Sequence, residues 1–269
     1  MKYIFLLALA MQGMIAFAQE LYIYTEPASN IPAKALSAKL TATYAEKMDN
    51  NIAQRYTPAI YLGLSKNIML KAAATFADMN TSYFRYESFS LYGKYRFLSK
   101  DEAHKHFRMA IFADGSISRS PYRYEEIALM GDKSGAEAGL VATQLIHKLA
   151  ISGTVSHTQV LDKSRFEKGV DYERPYQAMN YALSAGYLLL PLKYESYQQT
   201  NLNLYAELLA QQTLDKKRYY IDLAPAAQLI FNSNTKLNLG YRFQLGGDMT
   251  RMARNSFLIS LEKTFFEAL

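Results

Sequence analysis

The chain contains no cysteine and no tryptophan. Without cysteine there is no disulfide framework, no thiolate metal site and no cysteine nucleophile. Its 13 glycines and 7 prolines are too few for a collagen-like or low-complexity polypeptide of 269 residues. Neither sign of charge dominates. The 30 Lys and Arg exceed the 24 Asp and Glu by a net +6, which does not by itself imply a nucleic acid partner. Beyond residue 18 no apolar run is long enough for a membrane-spanning helix; the best candidate, 178–192, is interrupted by Asn180 and Ser184. No G-x-S-x-G, P-loop or H-E-x-x-H pattern occurs. What is abundant is apolar residues, half of the chain, and aromatic ones, 22 Tyr and 14 Phe.

Residues 1–18 read as a secretory signal peptide. Lys2 supplies the positive start, Tyr3 to Met11 and Met14 to Phe17 the apolar stretch, and Ala16-Phe17-Ala18 the small residues of a cleavage site. No cysteine follows, which excludes lipoprotein anchoring.

The rest of the chain has a period of two. Leu237, Leu239, Tyr241, Phe243 and Leu245 share one parity, and Lys236, Asn238, Gly240, Arg242 and Gln244 the other. Such alternation is a strand signature. It recurs at Leu202, Leu204, Ala206, Leu208 and Ala210 against Asn201, Asn203, Glu207 and Gln211, from Leu36 to Tyr44, from Leu149 to Val155 and from Tyr181 to Leu189. Looser versions lie near 55–64, 68–77, 84–97, 107–116, 135–146, 219–231 and 255–266. The total is about twelve strands of roughly ten residues, the length a tilted strand needs to cross a bilayer. The segments at 36–44 and 202–214 also tolerate a helical reading, which would break an otherwise regular run of strands.

The expected connections alternate between long and short, averaging about 12 and about 5 residues. Ser65-Lys66-Asn67 and Asn232-Ser233-Asn234-Thr235 carry hairpin chemistry among the short ones, while 117–134 and 158–177 are the longest. Long loops at one end and short turns at the other describe a closed barrel in a bacterial outer membrane. Residues 19–35, with Pro27 and Pro32, are then an irregular periplasmic lead-in, and 36–269 the barrel.

In lipid every backbone N–H and C=O must be paired, so a sheet must close. The apolar parity then meets hydrocarbon and the polar parity the lumen. The expected lumen set is Lys39, Lys71, Lys94, Arg96, Arg108 and Arg242 with Asp114, Glu137, Glu207, Asp222 and Glu262. Near balance of sign suggests either a plug of ion pairs or a charged wall that sorts solutes. Barrels of eight strands are filled by side chains and those of 16–18 hold an aqueous channel, so twelve allows a narrow pore or a closed interior. Aromatics fall near strand ends of the lipid parity: Tyr44, Phe76, Tyr181, Phe243 and Phe257 at one rim, Phe97, Phe107, Phe231 and Phe265 at the other. Two interfacial belts are expected from these.

With its signal peptide, amphipathic strands and terminal strand Asn255 to Phe266, the chain resembles the Gram-negative outer-membrane β-barrel proteins over essentially its whole length. That resemblance implies outer-membrane lipid and lipopolysaccharide as surroundings, small solutes as cargo, and the barrel assembly machinery as a partner reading the last strand. Phe257, Ile259, Leu261 and Phe265 fit that signal, whereas Lys263 breaks its parity and Glu267-Ala268-Leu269 replaces an aromatic end. No cofactor, metal or nucleic acid is implied.

Two chemistries have candidate residues in the chain. A lipid-modifying barrel enzyme of the phospholipase type needs an outward His beside a Ser, but His157 is flanked on its own face by Val155 and Gln159. Asp101, Glu102, His104 and His106 have the composition of a zinc site or of a solvated turn. The charged loop 158–177 offers bases to lipopolysaccharide phosphates, and Ile127 to Met130 are apolar enough to fold inward as a constriction. A structural barrel or narrow solute channel is the first expectation, a lipid-modifying enzyme the second, and a secreted soluble β-rich binding protein the third.

Overall fold

The computed structural model describes residues 22–47, 51–103, 105–120, 124–161, 174–193, 198–215 and 217–269. The signal peptide and most of the 158–177 loop lie outside these residues. Twelve strands run in order: β1 (Leu36–Glu46), β2 (Ile52–Gly63), β3 (Ile68–Ala77), β4 (Arg85–Glu102), β5 (Lys105–Ser118), β6 (Gly135–Ile146), β7 (Leu149–Val160), β8 (Gln177–Leu190), β9 (Asn201–Thr213), β10 (Tyr219–Phe231), β11 (Thr235–Gly247) and β12 (Asn255–Phe265). Each pairs antiparallel with its sequence neighbours, and β1 pairs with β12 to close the barrel. Closure leaves no open sheet edge, so the ladder satisfies the strand backbone internally.

Both segments that tolerated a helix are strands, β1 and β9. Tertiary pairing on both sides outweighs the helix propensity of their Leu, Ala and Gln. The alternation persists round the wall. Along β11, Leu239, Tyr241 and Leu245 are exposed on the outside while Lys236 and Asn238 are buried within. The exposed apolar set (Leu40, Ile60, Leu91, Ile111, Ile151, Leu183, Leu204, Ile221, Leu261) comes from the outward parity of nine strands. An apolar outside around a polar inside is the arrangement a bilayer selects.

The expected connection at 98–106 is instead a continued ladder. Lys100 pairs with Phe107, Asp101 with His106 and Glu102 with Lys105. β4 therefore runs on past the end of β3 at Tyr95, paired there on one side only, while β5 stays paired with β6 to Lys105. Apolar alternation stops at Phe97 although hydrogen bonding continues. At the opposite end 119–134 and 161–176 form the longest connections.

The largest departure concerns the lead-in. Residues 22–33 do not stay outside the barrel; they enter its interior and line its cavity. The backbone N–H groups of Ile23 and Tyr24 donate to Glu207 Oε1 on β9 at 3.0 and 2.9 Å. Ala28 N–H donates to Thr143 Oγ1 on β6 at 2.9 Å. The segment leaves at the short-turn end, where Lys34 N–H donates to Gly63 O at 2.7 Å. Irregular backbone has no ladder of its own and needs side chains to pair it. The lumen side chains supply that pairing. Gly63 permits the passage, because a Cβ there would stand 2.0 Å from Pro32 O.

Candidate functional site

The barrel encloses a cavity of about 1140 Å³. Its lining reaches from Lys66, Ser233 and Phe266 at the short-turn rim to Arg55, Tyr220 and Arg242 toward the long-loop end. Two inserted segments narrow it. One is the N-terminal segment, which contributes Tyr22 to Pro27 and Ser29 to Ala33; the other is Ile127 to Met130 of the β5–β6 connection.

The N-terminal segment is held at two points. Glu207 accepts Ile23, Tyr24 and Thr25 N–H, the Thr25 hydroxyl at 2.6 Å and the Ser184 hydroxyl at 3.1 Å. Farther along, Lys94 Nζ donates to the carbonyls of Pro27 and Ser29 at 2.7 and 2.8 Å, and Arg108 donates to Ser29 Oγ at 2.8 Å. Tyr22, Ile23, Leu145, Ala150, Tyr205 and Leu258 pack as an apolar cluster beneath the first clamp.

At the long-loop end Ile127 and Leu129 are buried within the wall. The side-chain amide of Gln211 fixes Ile127 twice, accepting its N–H at 2.8 Å and donating to its carbonyl at 2.7 Å. Beside it Arg251, from the β11–β12 connection, donates to both oxygens of Asp222 (2.7 and 2.9 Å) and both of Glu126 (3.1 Å each). Arg242 pairs with the same two carboxylates, and the Arg251 guanidinium lies 3.9 Å from the Tyr220 ring centroid. Burial alone would raise the Glu126 carboxyl, but Arg251 and Arg242 hold it below the usual carboxylate range. Arg55 with Asp132, and Asn80 donating to Asp132 at 2.9 Å, secure the rest of this connection.

Of the eleven charged residues assigned inward, Lys39, Lys71, Arg96, Arg108, Asp114, Glu137, Arg242 and Glu262 line the cavity. Lys94, Glu207 and Asp222 are buried behind it. The expected pairing with one another occurs between Asp222 and Arg242. Glu262 is joined at 2.7 Å by Lys236, a residue outside that set. Glu207 and Lys94 instead bond backbone of the inserted segment, Arg96 donates to Lys66 O, and Glu137 accepts from Ser156 and Asn180. The sign balance also shifts. Among the described residues the lining carries eight basic groups, including Arg55, Lys66 and Lys236, and five acidic ones, including Glu26 and Asp101.

The nine aromatics Tyr44, Phe76, Phe97, Phe107, Tyr181, Phe231, Phe243, Phe257 and Phe265 all stand on the outward parity. Tyr44, Tyr56 and Phe84 form edge contacts at the long-loop rim, as do Phe76 and Tyr86. Lys263, the break in the last strand, turns back to donate to Asn234 Oδ1 and Thr235 Oγ1 at 2.8 and 3.0 Å. Its charge therefore reaches the polar turn, not the apolar band.

His157 faces outward between Ala138 and Met179, and Ser156 turns inward to Glu137, so no Ser–His pair forms there. Asp101 is engaged by His106 at 2.8 Å and by Arg108 at 2.9 Å. No group of three metal-ligating side chains occurs among the described residues, and His104 lies outside them. Sequence reasoning missed Glu26, Arg55 and Arg251. The first and last lie outside the strands and carry no periodic signal.

Fold and interior together define a class: a closed twelve-strand antiparallel β-barrel with an apolar outer face, whose lumen is narrowed by inserted segments. No family model matches the chain, and no curated protein does. Solved structures do. An outer-membrane channel from Pseudomonas putida F1 superposes with a TM-score of 0.59 at 10% identity, covering 91% of this chain and all of that one. The KdgM porin gives 0.52 at 9% identity, over 85% and 99%. The beta domain of the Bordetella autotransporter Brka gives 0.51 at 11%, over 86% and 99%. At such identities the likeness concerns the fold.

Proposed function

We propose that the protein is a narrow outer-membrane channel for small solutes. The observation that carries this reading is the cavity, which has eight basic and five acidic groups in its lining and extends past both inserted segments toward the two rims. A purely structural barrel would gain from filling that space, since empty volume forfeits dispersion contacts. The basic excess of the lining favours anions over cations in the bore. The outward aromatics form the two interfacial belts, outer-membrane lipid and lipopolysaccharide surround the wall, and the barrel assembly machinery takes the β12 strand as its signal. Secretion through the inner membrane uses the cleaved 1–18 segment.

Planar-bilayer recording tests the reading. Refolded protein is expected to give small, discrete, anion-preferring steps. Glu207→Ala, which releases the first clamp on the inserted segment, is expected to enlarge them several-fold. Protein that is folded by heat-modifiable gel mobility but silent in both forms would overturn it.

A further inference from the structure

Between its two clamps the N-terminal segment aims one carboxylate, Glu26, at a set of wall residues. Glu26 Oε1 lies 3.8 Å from Lys71 Nζ and accepts the Tyr61 hydroxyl at 3.3 Å. Lys94 and Lys39 add attraction. Lys71 itself sits 4.6 Å from the Tyr92 ring centroid and 5.7 Å from that of Tyr61. The wall beside it is an apolar cluster of Ala59, Tyr61, Met69, Ala73 and Tyr92, with Ile31 and Phe112 packed against it.

These contacts are loose where the clamps are tight. Glu207 holds residues 23–25 at 2.6–3.0 Å and Lys94 holds 27 and 29 at 2.7–2.8 Å, whereas Glu26 meets Tyr61 and Lys71 at 3.3 and 3.8 Å. The Glu26 side chain can therefore swing into the cavity while the backbone on either side stays bound. Both faces of this arrangement are cavity lining, open to a solute in the bore.

We propose that Lys71 and Tyr61 form a binding site for a small organic carboxylate, and that Glu26 is its internal stand-in. The inference rests on the channel reading and names its substrate class. An entering carboxylate takes the ammonium of Lys71 and the Tyr61 hydroxyl from Glu26, while its apolar part lies against Tyr92 and Phe112. The ammonium is then never left unpaired, which a low-dielectric wall penalises. Aromatic acids fit best, because ring faces and edges meet Tyr92 and Phe112, themselves stacked at 5.5 Å.

Occupancy by the internal carboxylate lowers the apparent affinity for an external one; if Glu26 fills the site about nine-tenths of the time, the reduction is about tenfold. Calorimetric titration of the full-length mature protein in detergent with sodium benzoate, at fixed ionic strength, reads this directly. Benzamide is the neutral control. Glu26→Ala is expected to bind benzoate about tenfold more tightly than wild type. Adding Lys71→Met should remove the gain, and benzamide should show none. Heat-modifiable mobility checks that each variant is folded. Equal benzoate affinities in wild type and Glu26→Ala, or an equal gain for benzamide, would overturn the site. Because binding is measured without current, a silent barrel that still shows the Glu26→Ala gain would refute the channel and keep the site.

Discussion

Glu207 is a carboxylate on a strand whose charge no basic side chain neutralises directly. Three consecutive backbone N–H groups and two hydroxyls do so instead. A hydrogen bond to a charged group contributes about 1.5–3 kcal/mol, and the loss of several at once outweighs the packing of Tyr22 and Ile23. In Glu207→Ala the amides of 23–25 should lose protection in hydrogen-exchange mass spectrometry while strand amides keep theirs. Unchanged protection would mean the apolar cluster holds the segment alone. A second residue-scale case lies at the closing seam. Lys236 on β11 and Ser37 on β1 both donate to Glu262 Oε1 on β12, at 2.7 and 2.9 Å. Lys236→Met leaves that carboxylate under-paired and should cost about 3 kcal/mol, read as a lower temperature for the heat-induced gel shift. That these residues point inward was legible from parity. Which partners they meet was not, because backbone of a non-periodic segment leaves no mark in the strands it touches.

At the scale of elements, strands were legible and insertions mostly were not. Alternation places a strand wherever one face meets lipid, so β3, β6 and β10 match their expected spans to the residue. The N-terminal segment has Tyr22, Tyr24, Pro27 and Pro32 in no period, and composition alone left it outside the barrel. The apolar stretch Ile127–Met130 did signal its inward fold, since four such residues in a polar loop need a buried face. The extension of β4 past β3 was hidden because alternation reports lipid contact, not hydrogen bonding. Backbone proximity gives one test: Gly63→Ala forces a Cβ against Pro32 O and should displace the inserted segment, raising conductance as Glu207→Ala does. The Arg251 latch gives another. Glu126 has its carboxyl pKa depressed in the folded protein, so its contribution is full above the ordinary carboxylate range and is lost as pH falls through the depressed value. The hydrogen-exchange protection of amides 124–130, corrected for intrinsic rate, should be constant from neutral pH to about 5 and fall only in stronger acid. A loss centred near pH 6 would assign the hold on this connection to another group.

The whole molecule is an inverted protein: an apolar outside, a polar and partly filled inside, and a sheet without edges. Closure and parity carry most of its architecture, which is why single-sequence periodicity reaches the fold while the solute path depends on segments that obey no period. Inversion predicts opposite tolerances on the two faces of one strand. Leu239→Arg, on the outside of β11, should cost about 2–4 kcal/mol in a bilayer if the position lies near the midplane, as its place in the strand implies. The absence of cysteine permits a direct readout of the same claim. Single cysteines at each position from 236 to 245, spin-labelled in reconstituted bilayers, report collision with oxygen dissolved in lipid or with a water-soluble nickel chelate. Oxygen accessibility is expected to peak at Leu237, Leu239, Tyr241, Phe243 and Leu245, with Lys236, Asn238, Gly240, Arg242 and Gln244 low in it. The opposite phase, or no alternation, would overturn the inverted arrangement.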